Sequence, residues 1–414
     1  MDIKEKIAQA NEKTVHMLMD SDPVWVDMKP AIECVDGLED HMILHSGPPI
    51  AYEDMTMLHK RGMVSAMLFE GWAKDEEEAV KRLKAGEIKI SSALDHNTVG
   101  AGTGIITKSV VLEDRHNHTV AATFPAEGPF QGGFCGWGLY SKEIAENLRY
   151  MREELFPPMV EALHKLGGIP IKPILAESMQ MGDENHTRQT ACDYIYDRLM
   201  LPALFELDRP KKEIMKTVRY IVDTPRFFHC YGQAAARAAL VAADGTEYST
   251  MVTAVCGNGV EFGIKIASLP GQWFTAPAPM MKGRYTSSEF TEKDQLPWMG
   301  DSCVVECYGM GGFAAAASPI VCNLRGMTLK ESIGQTKEMY RITMEKNYNF
   351  PIPNLDFDFL PVGIDIRKVL KEGVCPAIHG GMFNRVGGLI GAGMARVPMQ
   401  CFEKALVAFG EKYL

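Results

Sequence analysis

What this chain lacks narrows its function before any motif is read. No run reaches the roughly 18 consecutive apolar residues that a membrane-spanning helix requires, so a membrane is not an expected partner. Positive charge is in deficit: 43 Lys and Arg stand against 53 Asp and Glu, a formal net charge of -10. Nucleic-acid binding as the main activity is therefore disfavoured, because it needs a basic face. Metal-ligand spacing is missing, with no H-E-x-x-H and no paired C-x-x-C, and neither a metal nor another cofactor is expected. The G-x-S-x-G elbow of serine hydrolases is absent as well. The glycine loop Gly100–Gly104 has neither a Walker-A lysine nor G-x-G-x-x-G spacing, and a strand pattern follows it, which argues against nucleotide binding.

What is present is ordinary soluble composition: 414 residues, 46% hydrophobic and 23% charged. That length exceeds one ordinary core and implies two or three domains. The ten cysteines are irregularly spaced and no secretory segment precedes them, which reads as reduced thiols in the cytoplasm. The first residues read as an amphipathic helix with Ile3, Ile7 and Ala10 on one face, not as a signal peptide. The 26 methionines read chiefly as adaptable core filler.

Periodicity gives a mixed α/β class in three pieces: an α/β domain over 1–140, a smaller all-helical domain over 141–245, and a second α/β domain over 246–414. In the first piece, Asp75 and Glu78 form a capping-box pattern, and strands are expected near 87–94, 105–112 and 119–124. In the second, Ser141 caps a helix expected to stop before Pro157, and another helix opens at Asp183. In the third, alternating segments flank Gly257-Asn-Gly259 as a hairpin, Thr328 and Glu331 box a helix running to about Lys346, and a helix follows Pro398.

The densest polar cluster is Met181-Gly-Asp-Glu-Asn-His-Thr-Arg188. With Asp183 as a cap, His186 would sit in a first helical turn as donor or base, and Arg188 would hold an anion. An ordinary capped helix with a solvated Glu184–Arg188 pair explains the same residues equally well. Asp365 and Arg367, in Gly363-Ile-Asp-Ile-Arg367, alternate so as to share one side and orient a carboxylate, carbamoyl group or phosphate, or simply to pair with each other. In Met299-Gly-Asp-Ser302, Asp301 reads as a helix cap. Gly309-Met-Gly-Gly312 offers Gly311 and Gly312 as an anion nest, or as glycines that permit tight helix packing. Asp95 and His96, with Asn97 beside them, are candidates for substrate contact, as is Asn258. Glu70 reads as a general base or a capping acid, and His116-Asn-His118 as a surface turn.

These motifs resemble, over nearly the whole chain, the AllG/YlbE family of bacterial proteins, long of unknown function and associated with oxamate carbamoyltransferase of anaerobic allantoin use. The resemblance runs through Gly47-Pro-Pro49, Leu68–Glu76, Met181–Glu184 with His186 and Arg188, and Asn258-Gly259. It continues through Trp273–Pro277, Met299–Ser302, Ile364–Arg367 and Ile390–Gly393. It implies a subunit of a multi-protein carbamoyltransferase that converts oxalurate and phosphate to oxamate and carbamoyl phosphate. Its implied partners are an FdrA-like subunit and a third small subunit, and a homo-oligomer is also an option. Where oxalurate-linked members are expected to carry His-His-Val-Asn, this chain has Leu94-Asp-His-Asn97, and Gly380–Gly388 is shorter, which leaves another N-carbamoyl compound open as donor.

On that reading Arg188 and Arg367 bind the anionic ends of donor and phosphate, and His186 protonates the leaving nitrogen. The N–H groups of Gly311 and Gly312 stabilise the oxyanion, while Asp183, Asp301 and Asp365 orient these donors. The alternative is a non-catalytic scaffold or ligand-sensing subunit that completes its partner's site.

Overall fold

The structure, a computed structural model, describes every residue except 1, 107, 115–118 and 128–132. The His116–His118 turn thus lies outside the described residues. The chain is a mixed α/β protein whose strands form several small sheets. Among the described residues no helix is long and apolar enough to cross a membrane.

The first sheet has five strands in the order Thr98–Val99, Thr119–Thr123, Lys108–Asp114, Pro23–Pro30 and Ile169–Pro170. Helix Tyr231–Val241 packs on it. Its sequence, Tyr-Gly-Gln-Ala-Ala-Ala-Arg-Ala-Ala-Leu-Val, explains why it is buried from Tyr231 through Leu240. Small side chains let neighbours approach from every direction, so the helix serves as a central post. Around its start, Trp25, Tyr196, Phe228 and Tyr231 form an aromatic cluster, with Trp25 and Tyr231 ring centroids 4.5 Å apart.

The hairpin about Gly257–Gly259 forms as the alternation requires. Strands Val252–Asn258 and Glu261–Ile266 pair antiparallel, and Gly259 takes a positive φ of 81°. This sheet extends to Phe274–Pro277 on one side and Met299–Gly300 on the other. A third sheet joins Lys282–Tyr285, Leu389–Arg396 and Ala377–Phe383.

Capping chemistry was legible. Asp75 accepts from Glu78 N at 2.9 Å, Thr328 and Glu331 close a full capping box, and Ser141 accepts from Ile144 N at 3.2 Å. Three extents differ from expectation. The helix begun at Ser141 does not stop at Pro157: a π-turn over Met151–Leu155 carries it into helix Phe156–Leu166, whose first positions tolerate proline because their N–H groups need no helical partner. The helix begun at Thr328 ends at Met339, and strand Thr343–Ile352 follows. No helix opens at Asp183: residues between helix Ile171–Gln180 and helix Thr190–Phe205 form a loop.

Contacts cross both expected domain boundaries. Strand Ile169–Pro170 pairs with Pro23–Pro30, and the N-terminal helix Ile3–Asp20 packs on strands Thr343–Ile352 and Asp358–Ile364. Asn11 on that helix donates to Thr250 Oγ1 at 2.9 Å and accepts from Thr250 N at 2.8 Å. One continuous hydrophobic core runs from Ile7 to Phe409.

Candidate functional site

The loop over residues 181–189 is folded around one carboxylate. Glu184, fully buried, accepts from the backbone N–H groups of His186 at 3.2 Å, Thr187 at 2.6 Å and Arg188 at 3.3 Å. Arg325 crosses to it at 3.4 Å, donates to Thr187 Oγ1, and anchors itself on the Gly393 carbonyl at 3.1 Å. Burial alone would raise the Glu184 carboxyl. His379, Arg325 and His186 outweigh that and hold it well below the usual carboxylate range. The loop is therefore rigid by charge-assisted hydrogen bonds rather than by helical pairing.

This loop presents His186. Its Nδ1 lies 2.9 Å from Glu306 Oε1, with both residues buried. The same oxygen accepts from Gly312 N at 3.0 Å and His379 N at 2.8 Å, so it is the acceptor and His186 Nδ1 carries the proton. That fixes the tautomer and leaves Nε2, which has no protein partner among the described residues. Burial raises the Glu306 carboxyl, and His186 partly offsets the rise.

His186 borders a cleft of about 460 Å³. Ala101 and Gly102 of a loop, Gly136 and Trp137 of the short helix Phe134–Trp137, and the sheet residues Gly380, Gly381, Phe383, Leu389 and Gly391 line it. Gly102 has a positive φ of 64°, and a Cβ there would fall 1.9 Å from the Gly136 carbonyl, so glycine lets this loop close on helix Phe134–Trp137. Two arginines border the same cleft. Arg226 sits at a positive φ of 60°, and its backbone N–H is held by Asp193 at 3.0 Å, while its guanidinium has no hydrogen-bond partner among the described residues. A left-handed arginine is unusual and marks a functional or strained position. Arg284, exposed on strand Lys282–Tyr285, likewise has no carboxylate partner among the described residues. Burial and the neighbouring Arg226 push cleft-lining His229 down to about 3, so it stays neutral.

The other residues singled out in the sequence fall into two groups. Asp183 and Arg188 lie in this loop but pair with each other at 2.8 Å. Asp183 also accepts from Cys192 N at 2.9 Å, capping helix Thr190–Phe205 from a distance. Its carboxyl is raised to about 6 by burial, despite Arg188. Asp301 is not a helix cap. It accepts from Gly47 N at 2.7 Å and Gly100 N at 3.2 Å, stapling two loops beneath the cleft, and burial raises it to about 7. Gly311 and Gly312 do not form an open anion nest. Their N–H groups are committed to Glu184 O at 2.7 Å and Glu306 Oε1, and the glycines serve close packing, since a Gly312 Cβ would lie 2.1 Å from Ala377 O.

The remaining candidates stand outside the cleft wall. Arg367 and Asp365 pair at 2.9 Å, and Asp365 accepts from Thr250 Oγ1 at 2.8 Å and Asn11, fastening the N-terminal helix rather than a ligand. Asp95 is taken by Lys265 and by Trp273 Nε1 at 3.0 Å. His96 is held by Asp36 O at 2.7 Å and Ser91 Oγ at 2.9 Å, and Asn97 accepts from Arg237 at 2.9 Å. Asn258 shapes its own turn, accepting from Glu261 N at 2.7 Å and donating to Pro48 O at 3.0 Å. Glu70 is the exposed last residue of helix Met57–Glu70. Sequence reasoning missed Arg226, Arg284, Arg325 and His379 because no local motif surrounds them. Only Glu306, four residues beyond Met299-Gly-Asp-Ser302, had a neighbouring signal.

The family model for oxamate carbamoyltransferase subunit AllG matches residues 88–302. Among curated proteins, the oxamate carbamoyltransferase subunit AllG of Escherichia coli (strain K12) is 34% identical over 413 residues, 98% of each chain. The uncharacterized protein YahG of the same organism is 34% identical over 416 residues, 99% of this chain and 88% of that one. Among solved structures, a conserved protein of unknown function from Enterococcus faecalis V583 superposes with a TM-score of 0.94 at 33% identity, covering 100% of both chains. By this family match and this identity, the chain belongs to the AllG family.

Proposed function

We propose that this chain is a subunit of a carbamoyltransferase and that the cleft beside His186 binds an N-carbamoyl acid and phosphate. The observation that carries the reading is a His186–Glu306 pair that borders a cleft also lined by Arg226 and Arg284, two arginines whose guanidinium groups have no hydrogen-bond acceptor among the described residues. Arg226 and Arg284 take the roles once expected of Arg188 and Arg367, holding the donor's carboxylate and the phosphate.

The reaction needs one proton moved. A phosphate oxygen bonds to the carbamoyl carbon, the C–N bond breaks, and the released nitrogen leaves with a hydrogen. His186 Nε2 takes the proton from the attacking phosphate and returns it to the nitrogen, while Glu306 stabilises the imidazolium between the two transfers. Oxalurate would yield oxamate and carbamoyl phosphate. An FdrA-like subunit and a third small subunit are the proposed partners, in an anaerobic allantoin-degrading system in the cytoplasm.

The test is carbamoyl phosphate formation by the complex reconstituted with its partner subunits. His186→Gln is expected to lower turnover by about 10²–10⁴-fold with folding intact. Arg226→Met is expected to raise the phosphate KM by about tenfold or more. Unchanged turnover in a folded His186→Gln complex would leave this chain a scaffold or sensor, with the chemistry housed in its partner.

A further inference from the structure

The cleft wall carries more apolar surface than phosphate and oxalurate can use. Its volume of about 460 Å³ lies in the range of roughly 300–1,000 Å³ in which pockets hold drug-sized ligands. His186, Arg226 and Arg284 belong to its polar part, together with Glu127, His229 and the hydroxyl residues Thr187, Tyr285, Thr286 and Ser302. Much of the rest is Phe124, Trp137, Trp298, Phe383 and Leu389.

These rings are organised. Trp137 and Phe383 lie 5.1 Å apart between centroids at 44°, and both pack on Leu58, Leu296 and Met299, a small cluster separate from the main core. Trp298 stands edge-on to His186 at 6.2 Å, so apolar surface begins next to the acid–base pair. Phe383 is buried and Trp137 half-buried, which leaves part of the indole facing the cleft.

Oxalurate is a short run of carbonyl, amide and carboxylate groups. It has no hydrocarbon to lay against Trp137 or Phe383, so its binding would forgo the burial of apolar surface that this wall offers. A donor with the same ureido and carboxylate groups plus an aromatic or branched aliphatic substituent would use both halves of the site.

Building on the carbamoyl-transfer reading, we propose that the donor is a ureido acid with an apolar substituent. Its carboxylate meets an arginine, its carbamoyl carbon lies by His186, and its side chain rests on Trp137, Phe383 and Leu389. The chemistry balances as before. The phosphate oxygen bonds to the carbamoyl carbon, the C–N bond breaks, and the nitrogen takes the proton that phosphate gives up, so phosphate is the one co-reactant.

Calorimetry of the full chain with N-carbamoylglycine, N-carbamoylphenylalanine and oxalurate tests this, because the first two differ only in the apolar group. The phenylalanine compound is expected to bind at least about tenfold more tightly than the glycine compound, with a more negative heat-capacity change. Leu389→Ala and Trp137→Ala are each expected to narrow that ratio. Equal affinities for the two ureido acids in the native chain would overturn this inference and leave the carbamoyl reading standing. Failure of all three compounds to bind would overturn both.

Discussion

At the scale of single residues, burial decides which charges are free to act. Arg367 is committed: it pairs with Asp365, and that carboxylate also takes Thr250 and Asn11. Arg367→Ala is expected to leave phosphate affinity within twofold of native by calorimetry, while costing about 1–3 kcal/mol in denaturant unfolding. A large loss of affinity would return Arg367 to the site. Asp301 offers a pH test. Burial raises its carboxyl from an ordinary 3.8 to about 7. Between those values the folded chain holds a proton that the unfolded chain has released, so this group's contribution to stability falls as pH climbs from about 4 to about 7. Asp301→Asn loses hydrogen-bonding capacity but does not titrate, so its melting deficit against the native chain should shrink across that window. A deficit that widens with rising pH would contradict the assignment.

At the scale of elements, what was legible in the sequence was whatever local chemistry decides. Caps at Asp75, Ser141 and Thr328 and the glycine turn at 257–259 act within a few residues, and each holds. The loop over residues 181–189 was misread as a helix start because its organising partners, Arg325 and His379, lie far along the chain. Asp183 does cap a helix, but the one seven residues on. Since Glu184 gathers three backbone N–H groups, Glu184→Gln is expected to loosen the loop. It should lower turnover of the reconstituted complex by about tenfold or more, with a smaller change in phosphate KM. Equal kinetics in the folded variant would show that His186 does not depend on that carboxylate.

At the scale of the whole molecule, the fold class was legible from periodicity, but the convergence of the site was not. His186, Glu306, Arg226 and Arg284 come from four separate segments, and their meeting follows from sheet order and from glycines such as Gly102 that let loops close on one another. Neither is a local property. In a chain of net charge -10, the proposed anion site rests on two arginines, Arg226 and Arg284, that line a cleft also bordered by Glu127. The most direct test is a crystal structure of the full chain with carbamoyl phosphate. The account predicts the phosphoryl group in the cleft, within hydrogen-bond distance of Arg226 or Arg284 and on the His186 side. A ligand seated at Asp365 and Arg367, or a cleft left vacant while the ligand binds elsewhere, would contradict it.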